Sequence, residues 1–172
     1  MKVVVTGAAG FIGSHAAQHF RASGHDVLGI DFFADYYSPA LKRLNTHELE
    51  YDGIPFFERD LSADVLGDVV ADAEIVLHAA AQPGISEGTG FDDYVRHNLV
   101  ATHRLLEAVK PLTSLKCFIY VSTSSVYGRY ATSPETAAPA PTSPYGVTKL
   151  AGEQLALSYQ REYALPVCAL RL

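Results

Sequence analysis

Short apolar runs alternate with longer helical patterns from one end of this chain to the other, and that alternation restricts the fold more than any other feature. The strand candidates are Lys2 to Thr6, Asp26 to Asp31, Ile54 to Asp60, Ile75 to His78, Cys117 to Ser122 and Pro166 to Leu172. Helical patterns cover Phe11 to Ser23, Ala63 to Val70, Phe91 to Val109 and Tyr145 to Tyr163, and Pro39 to Thr46 adds a short helix in the second crossover. Strands separated by helices pair in parallel, and a parallel sheet is covered on both faces, so the expected class is α/β with a doubly wound sheet of about six strands. Gly24 follows the first helix where a C-terminal glycine belongs, and Pro111 stops the third. Thr132 to Pro144 holds four prolines among Ser, Thr and Ala and reads as a surface loop. Pro144 suits the first helical position, with Ser143 or Thr142 as cap.

At 172 residues the chain suits a single domain spanning 1–172, with neither an internal repeat nor a linker. Its 48% hydrophobic and 19% charged residues are those of a soluble globular protein. No apolar run is long enough to span a bilayer, and Met1 to Gly7 runs straight into a strand pattern without a secretory signal, so a cytoplasmic location and no membrane partner are expected. A net charge of −6 without blocks of like charge gives no footprint for nucleic acid. Cys117 and Cys168, each inside an apolar strand pattern, read as small buried hydrophobes rather than a disulfide. His15 and His19 lie four apart on a helix, but no further ligand completes a metal pattern, so no metal is expected. Arg96, His97 and His103 are expected to face solvent or a dimer partner.

Val3-Val4-Val5-Thr6-Gly7-Ala8-Ala9-Gly10-Phe11-Ile12-Gly13 is a strand, a glycine turn and a helix start, in that order. Gly7 permits a tight turn, Gly10 lets the backbone approach a ligand, and Gly13 lets helix and strand pack closely. The helix N-terminus then offers free N–H groups to a pyrophosphate. The spacing is G-x-x-G-x-x-G, and its strand-before, helix-after context is the one a dinucleotide site requires. Asp31 ends the second strand at about the distance where an acid takes the adenosine ribose hydroxyls. Its carboxylate repels a 2′-phosphate, and Phe32 and Phe33 supply no cation to pair one, which favours NAD over NADP. Asp60-Leu61 suits either an adenine flank or a helix cap. His78-Ala79-Ala80-Ala81 ends the fourth strand with small side chains that leave room for a ligand.

Tyr145 and Lys149 stand four residues apart at a helix start, about 400° of rotation and about 6 Å of rise, and so share one face. A lysine beside a tyrosine favours the phenolate, which makes the phenol a proton-transfer group near neutral pH. Ser122-Thr123-Ser124-Ser125-Val126-Tyr127-Gly128 follows the fifth strand at the edge where ligands bind in open α/β sheets. Its hydroxyls converge there with Tyr145 and Lys149.

Taken together, Thr6-Gly7-Ala8-Ala9-Gly10-Phe11-Ile12-Gly13, Asp31, Asp60-Leu61, His78-Ala79-Ala80-Ala81-Gln82, Asn98, Ser122 to Gly128 and Tyr145-Gly146-Val147-Thr148-Lys149 resemble the extended short-chain dehydrogenase/reductases, specifically the nucleotide-sugar epimerase/dehydratase family. Asp35-Tyr36-Tyr37 with Leu41-Lys42, and Ala81 to Gly84, look most like UDP-glucose and UDP-glucuronate 4-epimerases. The resemblance implies a Rossmann sheet with NAD held by Gly7, Gly10, Phe11, Ile12, Gly13, Asp31, Asp60, Leu61, Ala79, Ala80, Ala81, Tyr145 and Lys149. It implies that Tyr145 takes the proton of the sugar 4-hydroxyl, that Lys149 lowers its pKa and holds the nicotinamide ribose, and that Thr123 hydrogen-bonds the reacting oxygen. Thr123, Ser124 and Tyr145 would face a UDP-sugar, and hydride would pass from sugar C4 to NAD and return to the other face. It also implies a homodimer built on the third helix and the Tyr145 helix.

Departures from the family pattern sharpen this picture. The 4,6-dehydratases carry an Asp-Glu pair where this chain has Ser124-Ser125, which disfavours dehydration. Phe32 replaces a common Asn, and Ser86 stands where glucuronate epimerases often have Arg. The resemblance implies a C-terminal substrate domain following Leu172, so the chain alone is expected to bind NAD weakly and turn over little. A non-catalytic NAD-binding module, and a related decarboxylase or dehydratase, stay open as alternatives.

Overall fold

The computed structural model describes residues 1–34, 38–84, 88–130 and 132–172. Six strands form one sheet: β1 (Lys2–Thr6), β2 (Asp26–Asp31), β3 (Phe56–Glu58), β4 (Ile75–His78), β5 (Cys117–Ser122) and β6 (Val167–Arg171). All pair in parallel in the order β3-β2-β1-β4-β5-β6. The expected α/β doubly wound sheet is present, and its strand order reverses direction between β1 and β4. The run Ile54 to Asp60 is shorter as a strand than its apolar pattern suggests, because β3 pairs only through Phe56, Phe57 and Glu58.

Valines on β1 explain its central place. Val3, Val4 and Val5 are all fully buried. Val4 packs with Val76, Phe118 and Leu105 on one face, and Val3 and Val5 pack with Ala17, Leu49 and Leu77 on the other. Helix α1 (Phe11–Ala22) and α2 (Pro39–Tyr51) follow β1 and β2. Gly24, with φ of 83°, follows the α1 C-cap as expected.

Phe91 to Val109 is helical throughout but not uniformly so. Helix α3 (Phe91–Tyr94) opens into a π-helical segment, Val95–Val100, before α4 (Ala101–Val109) resumes the tighter pitch. The wide turn carries Asn98 inward to 1% exposure; such turns are rare and concentrate at functional sites.

The helix expected over Ala63 to Val70 does not form; the segment is a succession of turns. Asp60 Oδ1 takes the Ser62 N–H at 2.8 Å and the Ser62 hydroxyl at 2.6 Å, and the Asp64 carboxylate takes the Asp60 N–H at 2.8 Å. These local bonds compete with a helical ladder. Leu66, Val69 and Val70 still reach the core, which is why the apolar spacing imitates a helix.

Helix α5 (Pro144–Tyr163) starts as the proline predicts. Ser143 is its cap, accepting from the Gly146 N–H at 3.1 Å. Leu105, Leu106 and Val109 are fully buried, and Leu155 and Leu157 pack partly buried beside them. Cys168 is exposed, contrary to its apolar surroundings in sequence, because β6 lies at the sheet edge; Cys117 on β5 is half-buried, and both are free thiols. Among the described residues no helix is long and apolar enough to cross a membrane.

Because Ser143 satisfies an otherwise open N–H at the start of α5, Ser143→Ala should lower the unfolding free energy by about 1 kcal/mol. Urea denaturation measures this; an unchanged midpoint would mean the cap contributes nothing to holding α5.

Candidate functional site

The carboxyl ends of β1, β2, β4 and β5 open into one cleft of about 530 Å³. Gly7, Gly10, Phe11, Ile12 and Gly13 border it from the first turn, Asp31 from β2, Asp60 and Leu61 from the end of β3, and Ala79, Ala80 and Ala81 from the end of β4. Thr123, Tyr145 and Lys149 border it from the β5 and α5 side. Ser124 does not line it; its N–H bonds the Leu172 carbonyl at 2.6 Å, within the 3₁₀ turn Ser124–Tyr127. Asp35, Tyr36, Tyr37 and Ser86 lie outside the described residues.

The glycine turn is shaped by contact as well as by dihedral angle. Gly7 has φ of 72°, and a Cβ there would lie 2.7 Å from the Ala80 nitrogen; a Cβ on Gly13 would lie 2.1 Å from the Gly7 carbonyl oxygen. Strand β1, the β4 end and α1 therefore meet as backbone on backbone, and the cradle at the α1 N-terminus would be filled by any side chain. The Gly10 N–H closes the turn on the Gly7 carbonyl at 2.9 Å.

Asp31 accepts the Ala9 N–H at 2.9 Å, which ties the end of β2 to the glycine turn. Burial pushes its carboxyl up to about 6, against the opposing pull of Lys42 and the N–H groups of Ala9 and Phe32. Lys42 is itself buried and donates to the Ala34 carbonyl at 3.0 Å. It lines the cleft with Arg59, so this end is more cationic than the residues directly after Asp31 suggest. Local reading could not place them, because Lys42 arrives from α2 and Arg59 from the end of β3.

His97 borders the cleft, while Arg96 is exposed as expected and reaches the cleft wall only through Asp60 and Ser62. Arg96 donates to the Asp60 carboxylate and, at 2.9 Å, to the Ser62 hydroxyl. Burial pushes Asp60 up, but the Ser62 bonds and Arg96 outweigh it and hold the carboxyl below its ordinary range. Asp60 therefore organises the turn at the cleft wall. His97 stacks on Phe32, with ring centroids 5.2 Å apart, and burial lowers its pKa. His103 lies edge-on to Tyr159.

A buried polar chain underlies the β4 end. His78 takes Thr6 Oγ1 at 2.7 Å on Nδ1 and Thr102 Oγ1 at 2.9 Å on Nε2. Thr102 gives its own hydroxyl proton to the Asn98 carbonyl at 2.8 Å, so Nε2–H is the donor and Nδ1 the acceptor. Burial, then the charge of Lys149, drive the His78 pKa down to about 3, and the ring is neutral. Asn98 accepts the Gln82 N–H at 2.7 Å and donates to Thr148 Oγ1 at 3.2 Å, joining the β4 loop to α5.

Tyr145 is wedged between Tyr94, at 6.3 Å between ring centroids, and Gly84, where a Cβ would lie 2.6 Å from the Tyr145 ring. Lys149 is 3% exposed. It donates to the Val121 carbonyl at 2.7 Å and stands 4.4 Å over the Tyr120 ring. Burial drives its pKa down to about 7, with Glu153 opposing. Thr123 Oγ1 accepts from the Ser125 N–H at 3.2 Å, which fixes its side chain at the cleft. The sequence reading missed the roles of Gly84, Tyr94, His97 and Glu153; only the Lys149-to-Glu153 helical spacing signals any of them.

Among the described residues no cluster of three His, Cys, Asp or Glu side chains could hold a metal ion. The cleft instead has features that suit a dinucleotide, a glycine turn at a helix N-terminus and an acid at the second strand end, with Tyr145 and Lys149 at the far wall.

A family model, the NAD dependent epimerase/dehydratase family, matches residues 3–172. The uncharacterized UDP-glucose epimerase YtcB of Bacillus subtilis (strain 168) is 39% identical over 99% of this chain and 55% of its own length. UDP-glucuronate 4-epimerase 6 of Arabidopsis thaliana is 38% identical over 99% of this chain and 39% of its length. The crystal structure of UDP-glucuronic acid 4-epimerase from Bacillus cereus in complex with UDP-glucuronic acid and NAD superimposes with a TM-score of 0.92, at 43% identity, over 99% of this chain and 56% of that one. The chain thus spans about half the length of the relatives it matches.

Asp31 should titrate at about 6, read from its side-chain carboxyl NMR signal. A carboxyl with a raised folded-state pKa contributes stability that is complete below its unfolded value of 3.8 and is lost as pH rises through about 6. Asp31→Asn should remove that slope from unfolding free energies measured across the window; an identical slope would show that Asp31 is not desolvated.

Proposed function

The chain belongs to the NAD dependent epimerase/dehydratase family, and we propose that it carries the NAD-binding and proton-transfer half of a UDP-sugar 4-epimerase acting on a hexose or hexuronate. One observation carries the reading: the glycine turn, Asp31 and the Tyr145–Lys149 pair border a single cleft. NAD, when bound, supplies the acceptor and later the donor of a hydride at sugar C4.

The residues of the chain do the rest. The α1 N-terminus and the bare backbone of Gly7 and Gly13 hold a diphosphate. Asp31, once ionised, accepts the adenosine ribose hydroxyls and opposes a 2′-phosphate, which favours NAD even with Lys42 close by. Tyr145 takes the proton of the sugar hydroxyl and gives it back. Lys149, as the ammonium, stabilises the phenolate, and its place beside Val121 and Tyr120 fixes where that charge stands. Thr123 holds the reacting oxygen.

Epimerisation is favoured over dehydration by Ser124 and Ser125. Removing water across C5 and C6 needs an acid and a base, and two hydroxyls next to Thr123 supply neither at neutral pH. The relatives support the choice, since those above are a UDP-glucose epimerase and UDP-glucuronate 4-epimerases.

Turnover of UDP-glucose and UDP-glucuronate by a protein carrying this sequence tests the reading. The 172-residue chain alone should turn over little, and robust epimerisation by it would contradict that expectation. In an active longer form, Tyr145→Phe should reduce kcat by at least about 10²-fold while NAD stays bound; retained turnover would refute the role of Tyr145. The ionised Asp31 is the form that receives ribose hydroxyls, so NAD affinity should rise with pH through about 6 and flatten in Asp31→Asn. Calorimetric titration at pH 5, 6 and 7 measures it, and a flat wild-type profile would remove Asp31 from the ribose site.

A further inference from the structure

Glu153 stands four residues beyond Lys149 on α5, and the residue is only 1% exposed. A carboxylate taken this far from water is costly unless it is paired and hydrogen-bonded. Glu153 Oε2 accepts the Ser122 hydroxyl, and Arg171 Nε donates to the two carboxylate oxygens at 3.2 and 3.1 Å. A second Arg171 nitrogen forms the ion pair with Oε1. Arg171 in turn is seated on Tyr127, donating to its hydroxyl at 2.9 Å. Burial pushes the Glu153 carboxyl up, but the bonds from Arg171 and Ser122, with the charges of Arg171 and Lys149, hold it below its ordinary value. The group is therefore an anion, and it does not line the cleft.

Residues four apart on a helix stand about 5–6 Å apart at Cβ, so this charge lies beside Lys149. Among the described residues, the groups near the Lys149 ammonium come from α5, β5 and β4. From α5 come Tyr145 and Glu153. From β5 come the Val121 carbonyl and the ring of Tyr120, whose own ionisation burial suppresses. From β4 comes His78, which is neutral. Arg171, on β6, pairs with the carboxylate of Glu153. Burial works against the ammonium; the Val121 carbonyl and the Tyr120 ring favour it as neutral groups, and Glu153 favours it as an anion.

We propose that Glu153 is a positioning residue of the proton-transfer centre: its buried carboxylate, clamped by Arg171 and Ser122, keeps Lys149 an ammonium beside Tyr145. The inference rests on the reading of Tyr145 and Lys149 as a proton-transfer pair. The same clamp joins α5, the last residue of β5 before Thr123, and β6, so the field on Lys149 is tied to the position of the Thr123 edge. A residue serving only as a clamp would hold those elements together without affecting the titration of Lys149.

The test is a direct titration of Lys149 in the 172-residue chain by NMR, with lysine labelled at Cε. Lys2, Lys42, Lys110 and Lys116 are the other lysines, and Lys149→Met identifies the signal. Lys149 should titrate near neutral pH in the wild type, and Glu153→Gln should lower its midpoint by about one pH unit. Ser122→Ala, which leaves the charge in place, should leave the midpoint where it was. Glu153→Gln with Arg171→Met removes the buried pair as a unit; it should still lower the midpoint, by less, and it carries the test if the single variant fails to fold. In the wild type the Glu153 carboxyl signal should also show an inflection at the Lys149 midpoint. An unchanged midpoint in a folded variant, or no inflection at Glu153, overturns the proposal. The readout needs no turnover, so a chain that epimerises nothing still answers it.

Discussion

Strand β1 hydrogen-bonds in parallel to β2 on one side and to β4 on the other, and the placement of every group in the cleft depends on that pairing. Parallel neighbours require crossovers, and crossovers bring all the strand ends that bear ligand groups to one edge. On leaving β1 and β4 the connections diverge, which opens a crevice at that edge. Its floor is possible only because α1 approaches the strand end to within backbone contact, and the missing Cβ atoms of Gly7 and Gly13 allow that approach. A methyl group at Gly13 would collide with the turn it is meant to close. The site is thus a consequence of strand order plus two absent side chains.

The same enclosure explains the chemistry of the titratable groups. Each has been taken from water, and its charged form is disfavoured unless something nearby restores it. Asp31 is pushed up to about 6 and Lys149 down to about 7, so an acid and a base stand near neutrality at opposite ends of one cleft. Glu153 is equally buried yet ionised, because Arg171 and Ser122 satisfy its oxygens. His78 is neutral because burial and the nearby Lys149 charge disfavour its cation, and two threonine hydroxyls satisfy its two ring nitrogens. Burial opposes the charged form of all four groups, and for Glu153 the hydrogen-bond partners outweigh it, so that group keeps its charge.

Much of this was legible in the sequence, for identifiable reasons. Strands buried on both faces read as unbroken apolar runs, and Val3-Val4-Val5 is such a run. Local chemistry marked the start of α5, since Pro144 suits a first helical position, and the structure selects Ser143 over Thr142 as the cap. Where spacing alone decided, the reading failed: Leu66, Val69 and Val70 follow a helical period, but the carboxylates of Asp60 and Asp64 capture the backbone into turns first. The π-helical segment at Asn98 is not read from hydrophobic spacing, which treats Phe91 to Val109 as one continuous helical pattern. Lys42, Arg59 and His97 reach the cleft from elements remote in sequence, and no motif announces such convergence. Gly84 and Tyr94 are legible only once the Tyr145 ring has been placed between them.

The central claim is that one dinucleotide spans the cleft from the glycine turn, past Asp31, to the Tyr145–Lys149 wall. The most direct measurement is an NMR titration of the ¹⁵N-labelled chain with NAD, following the amides of Gly7, Gly10, Ile12, Asp31, Thr123 and Lys149. The expected result is that all of them shift along one saturation curve, and that NADP produces the same pattern only at higher concentration. Shifts confined to the glycine turn, or a pattern elsewhere on the molecule, would contradict it.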